Sequence, residues 1–484
     1  MRKISWWLSA KNKIMATFNR ILNQTKTSKM PHPIILIHGY SDKGESFQTW
    51  RKILIKEKGY HPDQVQICSY RSLTNEVTIK DIAEGFDRAI RINPYINANE
   101  PFDAIVHSTG ILVLRSWLTV YGRHRQIKRI IALAPSSFGS PLAHKGRSWI
   151  GALFKGYKEL GPDFLEAGDL VLDGLELGSR FTWDLAHRDL LDEDNIFYGP
   201  QADTPYVFTF CGDSQYRGLR GLVVSSPGTD GTVRWAGCTL NSRKITLDFT
   251  RPASENTRFH ITDWPVEKRT HLAMPFVPLK GINHASIIED PSGDLIEMVA
   301  QALEVDSKEG YEQWIQAATQ KSAATLAAMT RWQQFVVHAH DERGDPITDY
   351  NLQFYKITKG RRIGEEDDWE PIPIDVHAYA ADNSFRCFHV NLQDLDSTQI
   401  QSLRLEFMAS TGTDLLGYYE YVADDVDVST FEKRPTFTMD LTPLLHEAQY
   451  KIFFPFTTTL IEIILNREPL PLRNKNNITI FMEG

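Results

Sequence analysis

The chain has 484 residues, 42% of them apolar and 24% charged, with a formal net charge of −8. Such a length exceeds one ordinary core, so two domains are expected, and the negative balance argues against nucleic acid as a partner. No apolar run reaches the roughly 20 residues that cross a bilayer, which excludes an integral helical membrane protein.

Residues 1–30 carry Lys and Arg but no Asp or Glu. The apolar centre "ISWWLSA" is too short for a signal peptide and is followed by Lys11 and Lys13. Trp6, Trp7, Leu8, Ile14, Met15, Phe18, Ile21 and Leu22 are spaced as one face of a basic amphipathic helix, suited to an anionic membrane surface. An extension packed on the next domain fits the same pattern. With neither a transmembrane segment nor a clear signal peptide, cytoplasmic residence or signal-independent export is expected, with membrane association through this segment.

From Pro31 to about Glu304 short apolar runs alternate with amphipathic stretches. "PIILIHG", "QVQICSY", "DAIVHS", "IKRIIALAPS" and "PYVFTFCGD" are strand-like, and "VTIKDIAEGFDRAIRIN" is an amphipathic helix. This rhythm predicts a mostly parallel sheet covered by helices over residues 31–305. An insertion at about 140–205 interrupts it, and "GRSWIGALFKGYKELG" places Trp149, Ile150, Leu153, Phe154, Tyr157 and Leu160 on one helical face. A helical cap over the site and an ordinary core-facing helix pair are equally good readings.

Residues 306–332 read as a helical connector. Residues 333–484 change to period-two runs, such as "QFVVHAHD", "RCFHVNL", "SLRLEFMA" and "PTFTMDL", which predict a C-terminal all-β, sandwich-like domain. The acidic runs "GEEDDWE" and "ADDVDVS" lack calcium-loop spacing. Cys68, Cys211, Cys238 and Cys387 show no metal or disulfide pattern, so free buried thiols are expected and neither a metal nor a cofactor is assigned.

Within "FDAIVHSTGILVLRSWL" a strand turns straight into a helix at Ser108. In a parallel sheet such turns lie at the carboxyl ends of strands, and the helix N-terminus directs amides at the serine. A serine hydroxyl needs a base, and the base an orienting acid, in the chain order Ser, Asp or Glu, His. Asp213 and Asp230 are both placed to be the acid. His284, late in the domain and just before a helical segment, is placed to be the base, ahead of His260 and His271.

Together "LIHGY", "VHSTG", "APSSFGSPLA", "DGTV" and "NHASI" resemble the lipases and esterases of the α/β-hydrolase superfamily, bacterial lipase-like and glycosylphosphatidylinositol-deacylase-like proteins in particular. The match covers about Pro31 to Glu304. It implies Ser108 as nucleophile, Asp230 as acid with Asp213 as runner-up, and His284 as base. It also implies the backbone amides of Tyr40 and Thr109 as an oxyanion hole. The elbow departs from Gly-x-Ser-x-Gly in having Val106 at the first small position, where a β-branched side chain demands room. His38 and His107 are expected to shape the loops.

The expected function is cleavage of acyl esters, lipid esters first and phospholipids among them. A soluble small-acyl esterase or thioesterase and a non-catalytic scaffold are the alternatives. The expected partners are an acyl-ester substrate, a membrane surface touched peripherally, and a protein bound through the C-terminal β-domain.

Overall fold

The computed structural model describes residues 31–469 except 41, 43, 73–74, 98–99, 144–167, 193, 201–202, 217–225, 253–257, 263–273, 360–368, 396–398, 414, 422–435 and 447–451. The basic segment 1–30, the apolar stretch 146–161, His271 and most of both acidic runs lie outside the described residues.

Strands β1 (Ile34–Ile37), β2 (Val65–Cys68), β3 (Phe102–His107), β4 (Ile127–Leu133), β5 (Tyr206–Gly212) and β8 (Phe276–Leu279) form one sheet in the order β2-β1-β3-β4-β5-β8, parallel throughout. These strands are near-continuous apolar runs because both faces are buried. Ile35, Ile37, Ala104, Val106, Ile130 and Ala132 enter one core; Ile34, Leu36, Ile105, Ile131 and Leu133 enter the other. Helices α2 (Ile79–Ile92) and α3 (Gly110–Val120) cover the first face, and α1 (Gln48–Lys56) covers the second. A reciprocal cap starts α2: Thr78 Oγ1 accepts from the Asp81 amide, and the Asp81 carboxylate accepts from the Thr78 amide. This is the expected α/β-hydrolase architecture. The described part of the 140–205 insertion supplies α4 (Asp169–Leu175) and α5 (Arg180–Asp189), packed on the first core.

After β8 come α6 (Ser286–Glu289), α7 (Gly293–Ala302) and α8 (Lys308–Ala328). The last covers the connector and packs on the parallel sheet: Tyr311 donates to the Val207 carbonyl at 2.7 Å, and Trp314 meets Phe208 edge to face.

Two further sheets follow. Strands β10 (Tyr350–Thr358), β11 (Glu370–Pro371), β14 (Ile400–Ala409) and β16 (Thr436–Asp440) form an antiparallel sheet. The other sheet is mixed and seven-stranded. It runs β12 (Ile374–Ala378), β13 (Phe385–Asn391), β9 (Trp332–Asp341), β17 (Thr458–Pro469), β6 (Ser242–Asp248) and β7 (Phe259–Thr262), with β15 (Leu416–Tyr419) also paired to β17. Between these two sheets lies a third core, crossed by the Phe335–Phe354 ring pair.

One feature departs from the reading of 31–305 as a parallel sheet alone. β6 and β7, within that stretch, are strands of the seven-stranded sheet, where β6 runs parallel to β17. That sheet serves both halves of the molecule. Val336, Phe385, Cys387 and Leu460 face the first hydrolase core, while Phe335, Val337, Phe388 and Ile461 face the third.

Candidate active site

Strand order reverses between β1 and β3, and an open α/β sheet forms its crevice outside the carboxyl ends of such strands. Ser108 follows β3 there. Its φ is +52°, a left-handed conformation that costs a non-glycine residue about 1–3 kcal/mol. The turn is held by its own backbone: the Ser108 amide donates to the Leu133 carbonyl at 3.2 Å, and the Ser108 carbonyl accepts from Ser136 at 3.2 Å. Gly110 opens α3 against β1, where a Cβ would lie 2.5 Å from the Ile37 carbonyl oxygen and 2.8 Å from that of His38. Val106 is accommodated, fully buried in the first core.

Asp230 and His284 are both fully buried and paired. His284 Nδ1 lies 2.9 Å from Asp230 Oδ2, and the His284 amide donates to the Asp230 carbonyl at 3.1 Å. The amides of Thr232 and Val233 donate to Asp230 Oδ1 at 3.0 and 2.9 Å, and the Cys211 thiol donates to Oδ2 at 3.6 Å. With Oδ1 taken by two amides, Oδ2 faces His284 Nδ1 and selects the Nδ1–H tautomer of the imidazole. Asp213, the runner-up acid, is engaged elsewhere: its Oδ1 accepts from the Gly281 amide at 2.7 Å and from Ser214 Oγ at 2.8 Å. It ties the end of β5 to the loop after β8. His260 sits on β7 opposite Thr246, away from this pair.

His38 and His107 do more than shape loops. His38 Nε2 accepts from the Tyr70 amide at 3.1 Å, so Nδ1 carries the proton and donates to the Gly39 carbonyl at 2.7 Å. In a trans peptide the next N–H points the opposite way, so this bond fixes the direction of the Tyr40 amide. Burial lowers the His38 pKa and keeps the ring neutral. His107 Nε2 donates to the His284 carbonyl at 3.0 Å, and the two rings lie 4.7 Å apart. Burial, then the neighbouring His284, hold His107 well below the ordinary histidine range, so it meets the His284 carbonyl as a neutral donor. Thr109 is the N-cap of α3, with φ −60°.

The loop that carries Asp230 rests on the seven-stranded sheet, an arrangement the sequence barely signalled. Gly228, at φ +71°, is pressed to the stacked Trp332 and His389 rings, and a Cβ there would lie 2.8 Å from both. The buried Arg234 reaches Asp375 on β12 at 2.6 Å. Thr458 Oγ1 donates to the Ala236 carbonyl at 3.0 Å. An arginine inside the apolar "GTVRWAG" was the one available hint. The four cysteines are free thiols, three of them buried. Cys211 and Cys238 adjoin each other beside the acid, their sulfurs 3.5 Å apart.

No protein-family model matches the chain, and no curated protein matches it. Among solved structures the chain is similar to the phospholipase PlaB from Legionella pneumophila, with 21% identity, a TM-score of 0.71, and 93% of this chain and 97% of that chain covered. The same protein in complex with thio-NAD gives 21% identity and a TM-score of 0.70 over the same shares. The mature lipase BlEst2 from Bacillus licheniformis covers 56% of this chain and 91% of its own at 17% identity, with a TM-score of 0.36, too low to carry an argument. The PlaB likeness spans both halves of the molecule and establishes a shared fold.

Proposed function

We propose that the protein is a serine hydrolase of carboxylic acyl esters, with lipid esters, phospholipids included, as its substrates. The observation that carries this reading is the buried Asp230–His284 pair, bonded through the His284 carbonyl to His107, the residue immediately before a serine held at positive φ on a strand-to-helix turn. His284, its Nδ1–H engaged by Asp230, takes the Ser108 proton through Nε2 as the oxygen attacks the acyl carbon. The amides of Tyr40 and Thr109 hold the developing oxyanion. Collapse expels the alcohol, which takes its proton from His284 and leaves an acyl-serine. Water activated by His284 then releases the acid. His38 orients one oxyanion donor and His107 steadies the base.

The lipid preference is supported by the fold shared with a protein named a phospholipase and by the basic aromatic segment 1–30, which suits peripheral contact with an anionic bilayer. None of the described helices is long and apolar enough to cross a membrane.

The test is fluorophosphonate labelling of the full chain with peptide mapping, followed by an ester chain-length series and phospholipid vesicles. Labelling at Ser108 that disappears in Ser108→Ala, with activity maintained on long acyl chains, supports the reading. A steep loss beyond short chains makes it a small-acyl esterase. A folded protein that takes no label, with or without micelles, is a scaffold.

A further inference from the structure

The face of the seven-stranded sheet that packs on the first core turns polar toward the ends of β9 and β17. Val336 and Leu460 give way to His338, His340 and Glu462. His338 and His340 are two residues apart on one strand, so both project from the same face. Glu462 is the parallel-register partner of His338 on β17. One ligand atom from each lies within 4.8 Å of the other two, and among the described residues no other trio of His, Cys, Asp or Glu is so grouped.

The hydrogen bonds set the donor atoms. His340 Nδ1 donates to the Asp341 carbonyl at 2.8 Å, which turns Nε2 toward Glu462 Oε1 at 3.3 Å. A neutral His340 in that tautomer would oppose a nitrogen lone pair to a carboxylate oxygen. An electrophile must sit between them, either a proton or a metal ion. Two ligands with bonds of about 2.0–2.1 Å at the tetrahedral angle stand about 3.3–3.4 Å apart, the spacing seen here. A backbone carbonyl on Nδ1 is also the arrangement that prepares an imidazole for metal binding. His338 stacks on Phe385 at 4.0 Å and meets the edge of Trp183 on α5. Lys244 Nζ lies 2.8 Å from Glu462 Oε2 and leaves Oε1 for the ion.

We propose that His338, His340 and Glu462 form a divalent transition-metal site, suited to zinc, at the seam between α5 and the seven-stranded sheet. Two imidazoles and one carboxylate are a borderline donor set that favours zinc over magnesium or calcium. His340, Glu462 and Lys244 are each partly exposed, so water can complete the tetrahedron. Lys244 is the rival cation, and the His340 proton is displaced on binding.

The test is titration of the tag-free, metal-stripped full chain with Zn2+ by calorimetry, with Co2+ absorption as a report on geometry. The expected result is one zinc per chain, bound about 100-fold more weakly by His340→Gln and by Glu462→Gln and more tightly by Lys244→Met. Zinc should also raise the thermal midpoint of the wild type and leave that of Glu462→Gln unmoved. Circular dichroism confirms that each variant is folded. No stoichiometric zinc in the wild type, or equal binding by Glu462→Gln, overturns the proposal. Zinc lost only on changing His284 overturns it as well, because the ion would then belong to the active site.

Discussion

The two large sheets of this molecule are assembled in opposite ways. In the parallel sheet each new strand joins within one or two crossovers, and helices between them close both faces. The seven-stranded sheet gathers β6 and β7, β9, and β17 from far apart, with Gln334 opposite Thr458 at a separation of 124 residues. The candidate site is divided between them. Ser108 and His284 stand at the carboxyl edge of the parallel sheet, whereas the loop of Asp230 is seated on the mixed one. Placement of Asp230 therefore depends on the C-terminal half of the chain, so that half is part of the candidate site's framework.

The largest effect to test this division is at the nucleophile. Ser108→Gly should abolish ester hydrolysis, a loss of about 10⁴-fold or more, while relief of the positive φ raises stability by about 1 kcal/mol. Product release and urea melts read the two effects. At the acid, Asp230→Asn should lower kcat by about 10⁴-fold because the wrong imidazole tautomer is favoured. Asp213→Asn should stay within about tenfold of wild type, since it loses a turn anchor only. Equal losses in the two variants would break the assignment of the acid.

Gly228→Val drives a side chain into Trp332 and His389 at a positive φ, which should destabilise the fold by about 2–3 kcal/mol. At temperatures where the variant is still folded, kcat should fall with KM little changed. Unaltered kcat would show that the mixed sheet does not set the acid. The smallest effect concerns pH. His338 titrates near 6.5 unfolded and near 4 folded, where burial, then His340, disfavour its charge. Glu462, Asp382 and Arg180 also face it. Its contribution to stability is present above pH 6.5 and is lost as the pH falls toward 4. His338→Phe, which keeps the stack on Phe385, should lose less stability than wild type between pH 7 and pH 4 in urea titrations.

Local pattern carried much of this protein. The apolar runs of β1, β3, β4 and β5, the amphipathic period of α2, and the Ser-x-Gly turn are each written within a dozen residues, because they follow from side-chain periodicity and from a helix that must start against a strand. The candidates Ser108, Asp230 and His284 come from the resemblance and its chain order, not from periodicity. Other features needed tertiary structure. Periodicity and spacing alone leave Asp213 and Asp230 open, and only the likeness of "DGTV" favours Asp230; the structure pairs Asp230 with His284 and spends Asp213 on anchoring the loop after β8. The pairing of β6 with β17, the seat of Gly228, and the meeting of His338 and His340 with Glu462 join residues more than a hundred positions apart. Such contacts depend on which buried faces find each other, and a single sequence holds the faces but not their partners.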